Sequence, residues 1–357
     1  MIEKVYIGEK AVGEGEQTYI ILEAGSNWLD LDHKEDGEYN FNNALRLIDK
    51  ASELGADAIK FQTFHAKDHH SKRGPKPDAL KDKPDLSLYN IIKELEMPRE
   101  WLPELADYSK KKGIHFISSP CDYEAVDILV GECDAPAIKV ASFDIVDIDL
   151  LKYIALKKRP VIVSTGMADL QDIDYARVVI EKNGVDDIVF LHCISNYPAK
   201  ISDLNLRRID TIREITQHPV GFSDHSLEYW VPAVAVAMGA SLIEKHFTLN
   251  KALKGPDHFF ALNPQEAENM IRMVRDVEKM MGSPLVGHIP AEEEYYRINR
   301  RCVQVGMRGI KKGEVFEKEN FVFKRGDGIL PRDLEKILGK TAKRDFEPDE
   351  IVKWEDI

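Results

Sequence analysis

Eight short apolar runs follow one another through the first two-thirds of the chain, and each ends in polar or ionisable residues before a helical stretch begins. They are YIILEAGSN, DAIKFQT, IHFISSP, AIKVASFD, PVIVSTGM, IVFLHCISN, PVGFSDHS and SLIEKHFT. Eight β-like runs alternating with helices predict an α/β fold, the (β/α)8 TIM barrel, whose catalytic residues gather at the C-terminal ends of the strands. Glu23, Lys60, Ser119, Lys139, Ser164, Ser195, His225 and His246 occupy those ends and are expected to face one pocket.

The chain has 357 residues, enough for a barrel of roughly 250 plus a smaller module. The opening stretch, VYIGEKAVGEGEQTYIIL, reads as a hairpin that could plug the N-terminal mouth of the barrel. Residues 42–54 read as the first barrel helix, stopped by Gly55. A polar, Lys- and Pro-rich segment follows the second run and reads as a flap over residues 64–97, with His65, His69 and His70 solvated. Residues 263–281 carry a helix start: Asn263 as N-cap, Pro264 at the first position and Glu266 three after the cap. Ile271, Val274 and Val277 line one face, Met270, Met273, Met280 and Met281 are assigned to the core, and Gly282 ends the helix. We therefore divide the chain into a barrel with its hairpin (1–285), a linker (286–300) and a small β-rich domain (301–357). That last piece is near the lower size limit for folding alone.

A net charge of −13 argues against nucleic acid as a partner, which would require a basic surface. No apolar run approaches the length of a membrane span or signal segment, so neither is expected. Four scattered cysteines, Cys121, Cys133, Cys193 and Cys302, without CxxC spacing read as reduced thiols of a cytoplasmic protein.

His225 and His246 are one βα unit apart, each beside a carboxylate (Asp224, Glu244). A single histidine in such a place is usually a hydrogen-bonded core residue. Two at matching strand ends favour a shared divalent metal with open positions for substrate oxygens. Lys60 and Lys139 close apolar runs, so each needs a partner. An ion pair is the plain reading, two cations aimed at a small anion the functional one, and a Schiff-base lysine the rival. Ser119, Ser142, Ser164, Thr165 and Ser195 together suggest an anion cradle. Glu23 reads as an acid/base group, a metal ligand or an ion-pair partner of Lys60. In the GPDH turn, Asp257 and His258 are expected above the pocket. Cys121 and Cys193 read as packing residues.

Taken in order, KFQT (60–63), KVAS (139–142), STGM (164–167), LHCISNYP (191–198), GFSDHS (221–226), EKHFTL (244–249) and GPDH (255–258) resemble the sialic acid synthase family. The tail, with GIKKGEVF and KRGDGI, resembles that family's antifreeze-like (SAF) domain. The resemblance implies condensation of phosphoenolpyruvate with the open-chain aldehyde of an N-acyl hexosamine, releasing phosphate and a nine-carbon 2-keto sugar acid. It implies a divalent ion, Mn2+ foremost with Mg2+ or Co2+ as alternatives, on His225 and His246. It places substrate at the positions matching Lys60, Gln62, Ser119, Lys139, Ser142, Ser164, Ser195, Tyr197, Ser223 and Asp257, and makes Glu23, Lys60 and Glu244 the catalytic set. Arg325 matches an arginine that reaches the partner subunit's site, which implies a domain-swapped homodimer. Two departures, Trp28 in place of a histidine and KRGDG without the usual proline, fall on the expected sugar side. The closest rival is a phosphoenolpyruvate-condensing barrel that uses an aldose phosphate. A glycan- or ice-binding protein is the non-enzymatic alternative, and the strongly charged tail speaks against it.

Overall fold

The computed structural model describes residues 4–74, 87–287 and 289–357. The chain divides into two compact units, Met1–Gly282 and Ser283–Ile357. In the first, β1 (Lys4–Ile7) and β2 (Lys10–Gly13) form an antiparallel hairpin. Eight parallel strands follow: β3 (Tyr19–Gly25), β4 (Ala58–Thr63), β5 (His115–Pro120), β6 (Ile138–Val140), β7 (Val161–Ser164), β8 (Ile188–Cys193), β9 (Val220–Asp224) and β10 (Leu242–His246). They hydrogen-bond in the order β5-β4-β3-β10-β9-β8-β7-β6, and the two end strands lie side by side, so the ring is nearly closed. Helices fill the connections: α1 (Gly37–Glu53), then α2 (Ala66–His69), α3 (Leu88–Glu94) and α4 (Leu102–Lys111) before β5. One helix follows each later strand: α5 (Tyr123–Gly131), α6 (Ile148–Leu156), α7 (Leu170–Lys182), α8 (Arg208–Thr216), α9 (Val231–Ala237) and α10 (Pro264–Met281). This is the expected TIM barrel.

Strand alternation explains where the site lies. Outward residues such as Ile20, Leu22, Ile59, Phe61, Phe116, Val163, Phe190, Phe222 and Ile243 pack under the helices. The inward residues fall into two tiers. The lower tier is apolar: Tyr19, Ile21, Ala58, Ile117, Ala137, Ile162, Val189, Leu191 and Leu242 form one cluster with Val5, Ile7 and Val12 of the hairpin. The hairpin thus closes the N-terminal end. Two residues further along each strand, the inward positions become Glu23, Lys60, Ser119, Lys139, Ser164, Cys193, Ser223 and Glu244. A one-residue slip in any strand would swap these side chains for outward-facing ones.

Helix α1 begins at Gly37 rather than 42, because the Asp36 side chain caps it by accepting from the Tyr39 amide. Helix α10 carries the predicted capping box between Asn263 and Glu266, and it ends at Gly282 in a positive-φ conformation. Met270 and Met273 pack inward as expected, but Met280 and Met281 are exposed. The core contact of α10 stops short of its last turn. Among the described residues no helix is long and apolar enough to cross a membrane. Residues 75–86 of the expected flap lie outside the described residues.

The second unit pairs β11 (Arg301–Val305) with β12 (Phe321–Arg325) over a core that includes Val303, Val305, Phe316, Ile329, Ile337, Phe346 and Val352. A helix, α11 (Glu293–Asn299), lies within the stretch read as linker.

Candidate active site

The upper tier and the loops above it enclose a cavity of about 550 Å³. Glu23, Lys60, Gln62, Ser119, Lys139, Ser142, Ser164, Tyr197, Ser223, His225, Glu244, His246 and Asp257 all line it. Strand register sets Glu23 beside Lys60 on one side and His246 on the other, and Ser223 beside both Cys193 and Glu244.

Lys60 is fully enclosed. Its Nζ lies 2.5 Å from Glu23 Oε2, 3.9 Å from Glu244 Oε2 and 3.3 Å from Ser119 Oγ. Glu23 also accepts from Gln62 Nε2 at 2.8 Å, and Glu244 from Ser223 Oγ at 3.0 Å. Two buried carboxylates beside one ammonium do not ionise equally. Burial, helped by the Glu244 charge, pushes the Glu23 carboxyl up to about 7 against the pull of Lys60. Burial also acts on Glu244, but Lys139 and Lys60 outweigh it and hold that carboxyl below its usual range. Glu23 is therefore the group that carries or gives up a proton near neutrality. Burial would discharge Lys60, yet the two carboxylates outweigh it and keep its pKa above the ordinary value.

Lys139 donates to Ser164 Oγ at 2.6 Å and to the Val140 carbonyl at 2.9 Å. Burial pulls its pKa down. Lys60 is occupied by carboxylates, whereas the hydrogen bonds of Lys139 go only to a hydroxyl and a carbonyl, so Lys139 is the more open to an incoming anion. Beside it, the Gly166 amide donates to Ser142 Oγ at 3.0 Å. Ser195, expected to face the pocket, is not among the lining residues and lies behind them, its Oγ buried without a partner. A methyl group on Gly166 would sit 2.2 Å from Ser195 Oγ and 2.8 Å from both Ser142 Oγ and Cys193 Sγ. This is a cradle that a Cβ would fill. Thr165 does not join it, because its hydroxyl is bound to the Leu191 carbonyl at 3.1 Å. Gly166→Ala should raise the KM for an anionic substrate by about tenfold or more, the range for one hydrogen bond to a charged group, and leave the KM of the second substrate near normal. An unchanged KM for the anion would remove the cradle from the binding site.

The rings of His225 and His246 stand 5.6 Å apart, with Tyr197 4.2 Å from His225 and Phe260 4.9 Å from His246. Burial holds both imidazoles neutral, lowering His225 and bringing His246 down to about 3. Neutral imidazole is the metal-binding form. His225 Nδ1 donates to the Ile194 carbonyl at 2.8 Å, which leaves Nε2 with a lone pair. His246 Nδ1 is buried without a partner. These donors fit a divalent cation with open coordination positions. Asp224 is not part of this set, because its carboxylate is bound to buried Lys245 at 2.6 Å.

Above the histidines, Ser26 donates to Asp257 Oδ2 through its Oγ at 2.8 Å and its amide at 3.2 Å, which fixes the carboxylate over the cavity. Gly25 makes this close approach possible: a Cβ there would lie 2.9 Å from Asp257 Oδ2, and its φ is +52°. His258 turns away and is buried between Thr248 Oγ1 at 2.8 Å and the Leu29 carbonyl at 3.1 Å. Trp28 is also absent from the cavity wall. It is a core residue, edge-on to Trp101 at 5.5 Å. Arg325 stands in the second unit, at the end of β12, where its carbonyl accepts from Gln304 Nε2 at 3.0 Å.

Several lining residues were not singled out as site residues from sequence. His69 and His70 were read as solvated but line the cavity, as do Cys121, Asp144 and Phe143. Cys121, Phe143 and Asp144 lie just past the ends of β5 and β6, a positional signal the sequence carries, whereas His69 and His70 stand at the end of α2, six and seven residues beyond β4. Phe64, Leu88, Ile91, Ile92 and Leu95 complete an apolar wall.

Comparison with known proteins places this arrangement. A family model described as the NeuB family matches residues 47–285, and one for the SAF domain matches residues 307–357. The chain belongs to the NeuB family. It is 37% identical to an N,N'-diacetyllegionaminic acid synthase of Campylobacter jejuni, over 94% of this chain and 99% of the relative. The corresponding synthase of Legionella pneumophila is 36% identical over 98% and 97%. The crystal structure of an N-acetylneuraminic acid synthetase from Leptospira borgpetersenii, in complex with citrate, superposes with a TM-score of 0.72 at 31% identity, covering 83% of this chain and 96% of that one. As a NeuB-family member, the chain is a sugar-acid synthase, a transferase that forms carbon–carbon bonds by condensing phosphoenolpyruvate with a sugar.

Proposed function

We propose that the sugar is an unphosphorylated N-acyl hexosamine in its open-chain aldehyde form, and that the product is a nine-carbon 2-keto acid of the sialic, legionaminic or pseudaminic type. One observation carries the reading. Among the described residues that line the cavity, Lys60 and Lys139 are the only lysine or arginine side chains, and both lie on the floor. They match one dianion, phosphoenolpyruvate. Among the described lining residues neither lysine belongs to the apolar wall, and the wall suits N-acyl and deoxy groups.

In this reaction phosphoenolpyruvate C3 bonds to the aldehyde carbon, water adds at C2, and the bond from C2 to the phosphate oxygen breaks to release phosphate. Lys60, Lys139 and the cradle of Ser142, Ser164 and Ser195 bind the carboxylate and phosphate. Glu23 holds a proton near neutrality and serves the new hydroxyl or the attacking water. A divalent cation on His225 and His246, foremost Mn2+ with Mg2+ or Co2+ as alternatives, would supply Lewis acidity at the aldehyde oxygen. Tyr197 and Asp257 orient the sugar.

Phosphate release from phosphoenolpyruvate tests the proposal. The panel is N-acetylmannosamine, its 6-phosphate, a 2,4-diacetamido-2,4,6-trideoxyhexose and arabinose 5-phosphate. Turnover is expected with an unphosphorylated N-acyl sugar. Turnover with sugar phosphates alone would overturn the proposal.

We also propose a cytoplasmic, domain-swapped homodimer, in line with four free thiols and with Arg325 set in a Gly-rich turn. A guanidinium there could bind a sugar oxygen through two donors. Arg325→Ala should weaken sugar use while phosphoenolpyruvate binding stays near normal. Mixing inactive His246→Ala and Arg325→Ala chains should restore some activity through one intact composite site. Exchange of subunits without any recovery would rule out the trans arrangement.

A further inference from the structure

His69, Cys121 and Asp144 stand together in the cavity wall, each offering one donor atom, and the three atoms lie within 4.8 Å of one another. They come from the loops after three consecutive strands, β4, β5 and β6. None is a strand-tier residue, and none takes part in the chemistry assigned above. Cys121 Sγ and Asp144 Oδ2 are 3.6 Å apart. Zinc–sulfur and zinc–oxygen bonds of about 2.3 and 2.1 Å, at a tetrahedral angle, put their two donors about 3.6 Å apart. The pair is thus already at the spacing a tetrahedral ion requires, and a modest turn of the His69 ring completes three ligands. His70 stands edge-on to His69 with ring centres 4.6 Å apart, and its Nδ1 is buried without a partner.

We propose that His69, Cys121 and Asp144 form a second metal site, separate from the His225–His246 pair, for a borderline cation of the zinc class. The mixed nitrogen, sulfur and oxygen donors select against magnesium and calcium, which prefer oxygen alone. Such an ion would tie three βα connections together in the cavity wall. The proposal stands on the donor geometry and does not depend on which sugar is used.

Co2+ is the probe, because a thiolate ligand gives a sulfur-to-cobalt charge-transfer absorption that two histidines cannot. The full-length chain, stripped with chelator and kept reduced with a phosphine, is titrated with Co2+. A charge-transfer band is expected, with two ions bound per chain. Cys121→Ser should abolish the band and remove one ion, while Cys193→Ser keeps both. Asp144→Asn and His69→Ala should weaken the band-producing site by at least the ten- to hundredfold typical of lost supporting ligands. Absence of a band in the unmodified chain, a band that survives Cys121→Ser, or a band lost in Cys193→Ser would each overturn the assignment. So would undiminished affinity in both the Asp144 and His69 variants.

Discussion

His246→Ala is expected to abolish turnover, and His225→Ala to do nearly the same, with loss of at least about a thousandfold in kcat. The estimate assigns several kcal/mol to Lewis-acid stabilisation, at about 1.4 kcal/mol per factor of ten. Both rings are buried, and burial keeps both neutral. Loss of either removes a donor, and the adjacent Asp224 is not free to replace it, since it is held by Lys245. Metal analysis of the purified variants should show loss of an ion while circular dichroism stays unchanged. Full activity in excess chelator would exclude a metal from the reaction altogether. Activity that survives His246→Ala would place the metal elsewhere.

Lys60→Met and Lys139→Met are the second pair of large effects. Truncating one partner of a buried charge pair costs roughly 2–5 kcal/mol, or about thirty- to several-thousandfold in kcat/KM for phosphoenolpyruvate. The two variants should differ in stability. Lys60→Met leaves Glu23 and Glu244 without the ammonium that lies 2.5 and 3.9 Å from them, so its melting temperature should fall. Lys139→Met breaks hydrogen bonds only to a serine hydroxyl and a carbonyl, and Glu244, whose charge Lys139 also supports, keeps Lys60, so binding should suffer more than stability. Steady-state kinetics with calorimetric melting separates the two. A borohydride-reducible adduct on either lysine would replace the anion-binding role with Schiff-base chemistry.

Much of this was legible in the sequence because each barrel strand carries its own signal. The eight runs are short, β-rich and closed by polar groups, and the structure places a strand on every one. The cap of α10 was legible because Asn263 and Glu266 satisfy each other's backbone within four residues. What was not legible depends on distant partners. His69 and His70 sit in a strongly polar stretch, but Glu96 holds the start of α2 through the Ala66 amide at 2.6 Å and His65 at 3.1 Å. That contact spans some thirty residues of chain and turns the segment inward. Trp28 occupies a family position expected on the sugar side, but its face is set by Trp101 on another connection. Met280 and Met281 keep the helical spacing of α10 beyond the point where the barrel offers a surface to cover.

The hairpin under the barrel has a kinetic consequence. With Val5, Ile7 and Val12 sealing the lower tier, traffic through the barrel axis is blocked and both substrates share a single doorway. The lysines lie at the depth of the strand tier, whereas Tyr197 and Asp257 belong to loops beyond the strand ends. A sugar seated first would stand in the path of the deeper reactant. Initial-rate patterns should therefore be those of an ordered sequence with phosphoenolpyruvate leading, and excess sugar should inhibit by forming an unproductive complex. Free phosphate, left deepest after bond breaking, should depart after the sugar acid and compete with phosphoenolpyruvate for the emptied floor.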